Sequence, residues 1–220
     1  MQRRDFVWAA AAAGWPLATL TLTPARAQEV PVELQDYVRL SKALPVDLPA
    51  GKKIEVVEFF WYECPHCNAF EPVLQAWAQR LAPDVEFRYM PVGFTPRHEL
   101  TQRLYYALKT MGRLDDGGVL HAKVYDAIHN SWRSPGSERQ WADFVAGQGV
   151  DRARFVERFR SDEVSALLRK ANQWADDAEV EGVPTLLIQG RYTTSPSRAG
   201  SRERALSVAE HLIRLAREAP

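Results

Sequence analysis

Cysteine occurs twice in this 220-residue chain, at Cys64 and Cys67, with Pro65 and His66 between them. Two thiols three residues apart can close and reopen a disulfide within one helical turn, the chemistry of electron exchange with other thiols. A ring this short restricts the unfolded chain little, so a static structural bridge is the weaker reading. A zinc site needs two further ligands, and His98, His121, His129 and His211 show no zinc-like spacing. No metal and no separate cofactor is therefore expected; the reagent is the Cys64–Cys67 disulfide itself.

The two sulfurs are not equivalent. Placing Cys64 at a helix N-cap puts Pro65 at the first helical position, where its missing N–H is no loss. Cys67 then lies one turn on. Side chains at that spacing are about 5–6 Å apart at Cβ, and a disulfide needs roughly 3.5–4.5 Å, so a small adjustment closes the bridge. The free N–H groups of the first turn and the positive end of the helix dipole stabilise a thiolate at Cys64. A protonated His66 adds to the effect. Cys67, deeper in the helix, has no such help. Cys64 is thus the attacking and leaving sulfur and Cys67 the buried resolving one. A stabilised thiolate exists only in the reduced form, so it makes the disulfide an oxidant. Each pKa unit below ambient pH contributes up to about 1.4 kcal/mol, or roughly 30 mV.

The elements that must position this pair are legible on either side. Ile54 to Trp61 is apolar at nearly every position, as suits a central strand covered on both faces. A helix follows, with Phe70, Val73, Leu74, Trp77 and Leu81 on one stripe and Pro72 inside it. Val85 to Val92 reads as a second core strand, and Tyr37 to Leu40 as a short one. From Arg97 to Asp177 the pattern is helical almost throughout. Leu100, Leu104, Leu108 and Met111 form one stripe; Val119, Val124 and Ile128 form a less regular one. Ser137 and Gln140 form a capping box, and Asp151 caps the next helix. Val164, Leu167, Leu168, Ala171, Trp174, Ala175 and Ala178 form the longest stripe. Strand character returns at Gly182 to Ile188. Gln189-Gly190 turns the chain into a hairpin with Arg191-Tyr192-Thr193, and a helix from Ser201 to Arg217 closes it. The expected class is α/β. Residues 28–96 and 179–220 form one domain, interrupted by an all-helical insertion at 97–178.

The first 27 residues read as a signal peptide. Arg3-Arg4 form the basic start, Phe6 to Leu22 the apolar stretch, and Ala25-Arg26-Ala27 the cleavage site. Gly14 and Pro16 interrupt the apolar stretch, which is short for a membrane span of about 20 residues. The paired arginines fit a twin-arginine leader, and the route, Sec or Tat, stays open. Export implies an oxidising compartment, the bacterial periplasm. Formal net charge is zero, so nothing predicts a nucleic-acid surface.

Glu58-Phe59-Phe60 ahead of Cys64-Pro65-His66-Cys67, the helical block and Gly182-Val183-Pro184 together resemble the bacterial DsbA family of periplasmic dithiol oxidases. The resemblance covers nearly all of the chain after the leader. It implies a thioredoxin fold with a helical insertion, and donation of the disulfide to newly exported, unfolded proteins with reduced cysteines. It also implies reoxidation by a quinone-linked membrane partner of the DsbB type. Pro184 matches the family's cis-proline beside the redox pair, and the lost backbone donor there leaves Val183 free to pair with a substrate strand. Glu58 matches the family's buried acid. Desolvation in an apolar strand should raise its pKa and suit it to proton exchange with Cys67. Glu71 and Arg88 fall where the family has a charged pair. Rival readings are a disulfide isomerase or reductase, and a peptide-binding, chaperone-like module. No added dimerisation segment is visible, which disfavours the isomerase; a monomer is expected.

Overall fold

A computed structural model describes residues 30–46, 48–114, 117–131 and 135–218. The leader expected at the N-terminus lies outside the described residues. Strand β2 (Ile54–Phe60) is built of β-branched and aromatic residues and acids, and all seven are buried. Such a run needs cover on both faces. It pairs in parallel with β3 (Val85–Pro91) on one side and antiparallel with β4 (Thr185–Ile188) on the other. β4 turns back into β5 (Tyr192–Thr194), which pairs with the two-residue strand β1 (Val38–Arg39). The sheet order is β1-β5-β4-β2-β3.

Between β2 and β3 runs helix α1 (Pro65–Ala78). Its stripe of Phe70, Leu74 and Trp77 packs with Ile54, Val56, Leu186 and Ile188 of the sheet and with helix α8 (Arg202–Glu218). The inward residues expected of the closing helix, Ala205, Val208, Ala209, Leu212 and Ala216, are all buried there. The short helix α7 (Pro196–Ala199) precedes it.

Among the described residues, five helices lie between β3 and β4, after a short 3-10 turn (Pro96–His98): α2 (Glu99–Thr110), α3 (Val119–His129), α4 (Glu138–Gly147), α5 (Arg152–Arg160) and α6 (Asp162–Asp177). They bury a second apolar cluster that reaches Val57, Phe59 and Phe60 of β2. Leu104, Leu108, Val164, Leu168, Ala171 and Ala175 point inward as their spacing requires. Val119 does not. It opens α3 after Gly118 and is exposed, while Leu120 and Val124, four apart, carry the buried stripe. Ser137 caps α4 by accepting from the Gln140 N–H, but the Gln140 side chain reaches back to the Gly136 N–H, one residue before the cap. Asp151 accepts from the Arg154 N–H as expected.

Two local features tie the sheet together. Gln189 and Gly190 both take left-handed backbone (φ 52° and 58°), and the Arg191 N–H closes the turn on the Ile188 carbonyl (3.0 Å); Ile188 pairs with Tyr192 across a three-residue loop. At Gly190 a Cβ would come within 2.5 Å of the Leu44 carbonyl oxygen, so glycine is needed for space as well as for φ. On the outer strand β3, the carbonyls of Val85, Tyr89 and Pro91 accept from Lys52 Nζ (2.9 Å), Tyr105 Oη (3.0 Å) and Gln102 Nε2 (2.9 Å).

Candidate redox site

β2 delivers the chain to the site. After Phe60, the loop Trp61–Glu63 leads to Cys64, whose backbone is extended (φ −78°, ψ 117°) at the N-cap of α1, with Pro65 at the start of the helix. The Asn68 N–H closes the first turn on the Cys64 carbonyl (3.0 Å), which leaves the N–H groups of His66 and Cys67 turned toward the Cys64 sulfur. Both cysteines are free thiols here, Cys64 7% exposed and Cys67 1%.

The electrostatics separate them as the helix position requires. The Cys64 thiol is lowered from 9.0 to about 6. The largest cause is the hydrogen bond from the Cys67 side chain. Burial opposes it; the backbone N–H groups of Cys67 and His66 then help, and the His66 charge comes last. Cys67 moves the opposite way, well above its ordinary value, because it is buried and because Cys64 and Glu58 crowd it with negative charge. His66 itself is exposed. The thiol of Cys64 also reaches the Val183 carbonyl at 3.6 Å, and the Val183–Pro184 bond is cis. The helix start and the 183–184 loop thus meet at one sulfur.

Glu58 lies under the pair. It is fully buried, and neither carboxyl oxygen has a hydrogen-bond partner among the described residues. Burial raises its pKa well above the ordinary value, and the charges of Glu71 and Cys64 push it further.

A family model described as "DSBA-like thioredoxin domain" matches residues 55–202. The thiol:disulfide interchange protein DsbA of Bordetella parapertussis is 38% identical over 214 residues, 97% of this chain and 98% of that one. The DsbA of Pseudomonas aeruginosa is 37% identical over 185 residues, 84% of this chain and 85% of that one. The chain belongs to the DsbA family. Its fold is the thioredoxin fold with a helical insert, and it is a thiol:disulfide oxidoreductase. Among solved structures, P. aeruginosa DsbA superposes with a TM-score of 0.78 (37% identity, 84% of this chain, 94% of that one). DsbA from Xylella fastidiosa superposes at 0.77 (34% identity, 86% and 99%).

One expectation drawn from the DsbA resemblance is overturned. Glu71 and Arg88 do not pair. Arg88 reaches Glu55 at 2.6 Å and lies over the Trp174 ring, 5.1 Å from its centroid. Glu71, on α1, faces elsewhere: it accepts from the Tyr89 hydroxyl (2.8 Å) and lies 3.6 Å from His121 Nε2. The reason is strand alternation. Arg88 and Tyr89 are consecutive in β3, so they point to opposite faces of the sheet, and α1 covers the Tyr89 face. Sequence reasoning weighed His121 only for zinc spacing and did not single out Tyr62 or Tyr89. They come from three separate elements, so no spacing could have joined them.

A cleft of about 1040 Å³ opens beside the redox pair, lined by His66 and Ala69 of α1, by residues 179–185, and by residues 193–198 and 200–203. Val183 and Pro184 form part of its wall. No group of three or more residues among those described could hold a metal ion. No helix among them is long and apolar enough to cross a membrane.

Proposed function

We propose that the chain is a periplasmic dithiol oxidase that passes its Cys64–Cys67 disulfide to newly exported, unfolded proteins. A substrate thiolate attacks the Cys64 sulfur. The Cys64–Cys67 bond breaks, and Cys67 leaves with the electron pair and takes a proton, with Glu58 as the donor. A second substrate thiol, deprotonated in its turn, attacks the substrate sulfur of the mixed disulfide and expels Cys64 as a thiolate. Two electrons have moved from the substrate dithiol to the protein; one proton ends on Cys67 and one in solvent.

The observation that carries this reading is the opposed environment of the two sulfurs, with donors gathered on Cys64 and apolar burial around Cys67. A good leaving group at Cys64 favours release of an oxidised substrate over retention of the mixed disulfide. The cleft beside the pair accommodates an extended peptide, with Val183 offering its backbone and Pro184 presenting no competing N–H. His66 is assigned a minor part in holding the thiolate, Pro65 the fixing of the helix start. Reoxidation is assigned to a quinone-linked membrane protein of the DsbB type. The leader and the periplasmic setting belong to the same reading.

The test is a reduced, unfolded protein with two cysteines mixed with the oxidised chain in stoichiometric amount. It should gain its disulfide. Cys64→Ser should abolish transfer, and Cys67→Ser should accumulate a mixed disulfide through Cys64. Transfer by the Cys64→Ser variant would overturn the assignment of roles. An equilibrium with glutathione that leaves the pair mainly oxidised would assign a reductase instead.

A further inference from the structure

Beside Cys64 the substrate cleft crosses the strand ends on one side of β2. β2 leads to Cys64, and Val183 and Pro184 stand just before β4. β4 runs antiparallel to β2, β5 to β4 and β1 to β5, with Phe59 opposite Thr185, Leu186 opposite Thr194 and Val38 opposite Thr193. The end of β5 and the entry to β1 therefore lie at the same edge of the sheet as the redox pair. The lining of the cleft traces this path. It passes from His66 to Val183 and Pro184, then to Thr194 and Ser195, and reaches Gln35 just before β1. From β2 to β1 the sheet order gives three strand spacings. That is about 14 Å, which an extended chain crosses in about four residues.

At that far end stands a turn with two uncovered apolar side chains. Leu34 is 76% exposed and Val32 52%. Single exposed apolar residues are ordinary on a surface, but these two are held in place. Leu34 has left-handed backbone (φ 69°), a conformation leucine rarely adopts. The Leu34 N–H donates to the Tyr37 carbonyl (2.7 Å) and the Asp36 N–H to the Val32 carbonyl (2.8 Å). The buried Asp36 carboxylate accepts from the Val32 N–H (2.8 Å) and from Arg204 of α8 (3.1 Å). Its backbone carbonyl accepts from the Thr194 hydroxyl of β5 (2.8 Å). Arg198 of α7, which lines the cleft, donates to the Leu34 carbonyl (3.2 Å). The turn is thus fixed to β5, α7 and α8. We infer that Val32 and Leu34 form an apolar rim at the far end of the substrate cleft, and that the rim takes an apolar side chain about four residues from the reacting cysteine of the substrate. The inference rests on the reading of this cleft as the seat of the substrate polypeptide, and adds a preference to it. Alternation sharpens the preference. In an extended chain the residue four away from the cysteine points to the same side as the cysteine, while the residues three and five away point to the other.

The test uses the full chain carrying Cys67→Ser, with glutathione in disulfide linkage to Cys64. A serine–alanine peptide with one cysteine displaces the glutathione. The peptide thiolate attacks the Cys64 sulfur, the bond to glutathione breaks, and glutathione leaves as a thiolate. The equilibrium constant of this exchange reads the contacts that the peptide makes beyond its sulfur. One leucine is moved residue by residue along the peptide on each side of the cysteine, and the series is repeated with Val32→Ser and Leu34→Ser added. Leucine four residues from the cysteine, on one side, should favour the peptide by about three- to tenfold over serine at that place, the range for a partly covered leucine. Leucine at three or five should gain about twofold at most, since it points away. The double substitution should abolish the gain at four. No gain at four, an equal gain at every position, or a gain at four that survives the double substitution would overturn the rim and leave the cleft standing. Peptides that displace glutathione no better than free cysteine does, whatever their sequence, would overturn the cleft reading, and the rim with it. A chain that sediments as a dimer, and as a monomer once Val32 and Leu34 are serine, would give the patch to a second copy and overturn the inference. Should circular dichroism show the double variant unfolded, Leu34→Gly, which suits the left-handed backbone, takes its place with the same expectations.

Discussion

Replacing Cys67 by alanine should disturb the Cys64 thiolate more than replacing His66. The Cys64 thiol is lowered from 9.0 to about 6, and the foremost cause is the Cys67 side chain, while the His66 charge comes last. A hydrogen bond to a charged group is worth about 1.5–3 kcal/mol, and one pH unit corresponds to about 1.4 kcal/mol. Cys67→Ala should therefore move the Cys64 titration up by about one to two pH units, and solvent near the helix start makes that an upper bound. Cys67→Ser keeps a donor and should move it less. His66→Leu removes a side-chain charge but keeps the residue's N–H, and should also move it less than Cys67→Ala. The redox consequence is bounded in the same way. At pH 7 only the portion of the shift below ambient pH counts. That is about one unit, or roughly 1.4 kcal/mol and 30 mV, not the three units of the whole displacement. The assay is thiolate absorbance in the ultraviolet from pH 3 to 10, with the rate of alkylation at pH 6 as a second measure. A larger displacement in His66→Leu than in Cys67→Ala would refute the assignment of causes.

Three further outcomes are expected. Glu58 has a folded pKa above its ordinary value, so its contribution to stability is complete below about pH 4.5 and is lost as pH rises toward the folded value. Glu58→Gln should therefore stabilise the reduced protein by about 1–3 kcal/mol at pH 7 and by nothing at pH 4, as read from urea unfolding at both; destabilisation at pH 7 would contradict it. Phe60 is fully buried against the rings of Tyr62, Tyr89, Tyr105, His121 and Tyr125, so Phe60→Ala should cost about 3–5 kcal/mol in the same unfolding assay. Arg88→Leu deprives the buried Glu55 of its guanidinium and should cost about 3–5 kcal/mol, most of it recovered when Glu55→Gln is added; no recovery would mean that Arg88 acts through its stack on Trp174.

What could be read in advance was what local chemistry determines. The β2 run, the N-cap at Cys64, the α1 stripe and the hairpin at Gln189-Gly190 all depend on neighbours in sequence, and each stands where its residues placed it. The Val183–Pro184 loop was reached only through a family likeness, because nothing within it announces that it folds back onto a sulfur 119 residues away. The failures have separate causes. Glu71 was matched with Arg88 by likeness, yet strand alternation in β3 puts Tyr89 and not Arg88 on its side. Val119 was placed inward on a weak periodicity that begins one residue early. His121 was weighed only for zinc spacing, whereas its surroundings are assembled from α1, β3, α3 and the loop before α1. The rank of His66 among the influences on Cys64 needed atomic positions, since composition says only that a charge is nearby.

The three side chains that hold outward carbonyls of β3 bear on a hazard common to proteins with an open sheet. A bare sheet margin is a template onto which a stray strand can zip, and repetition of that event is how aggregates grow. Here Lys52, Tyr105 and Gln102 already hold three of those acceptors, and Pro91 offers no N–H at the end of the row. The opposite margin, β1, is two residues long. Both margins therefore offer a stray strand less than a bare row of donors and acceptors would.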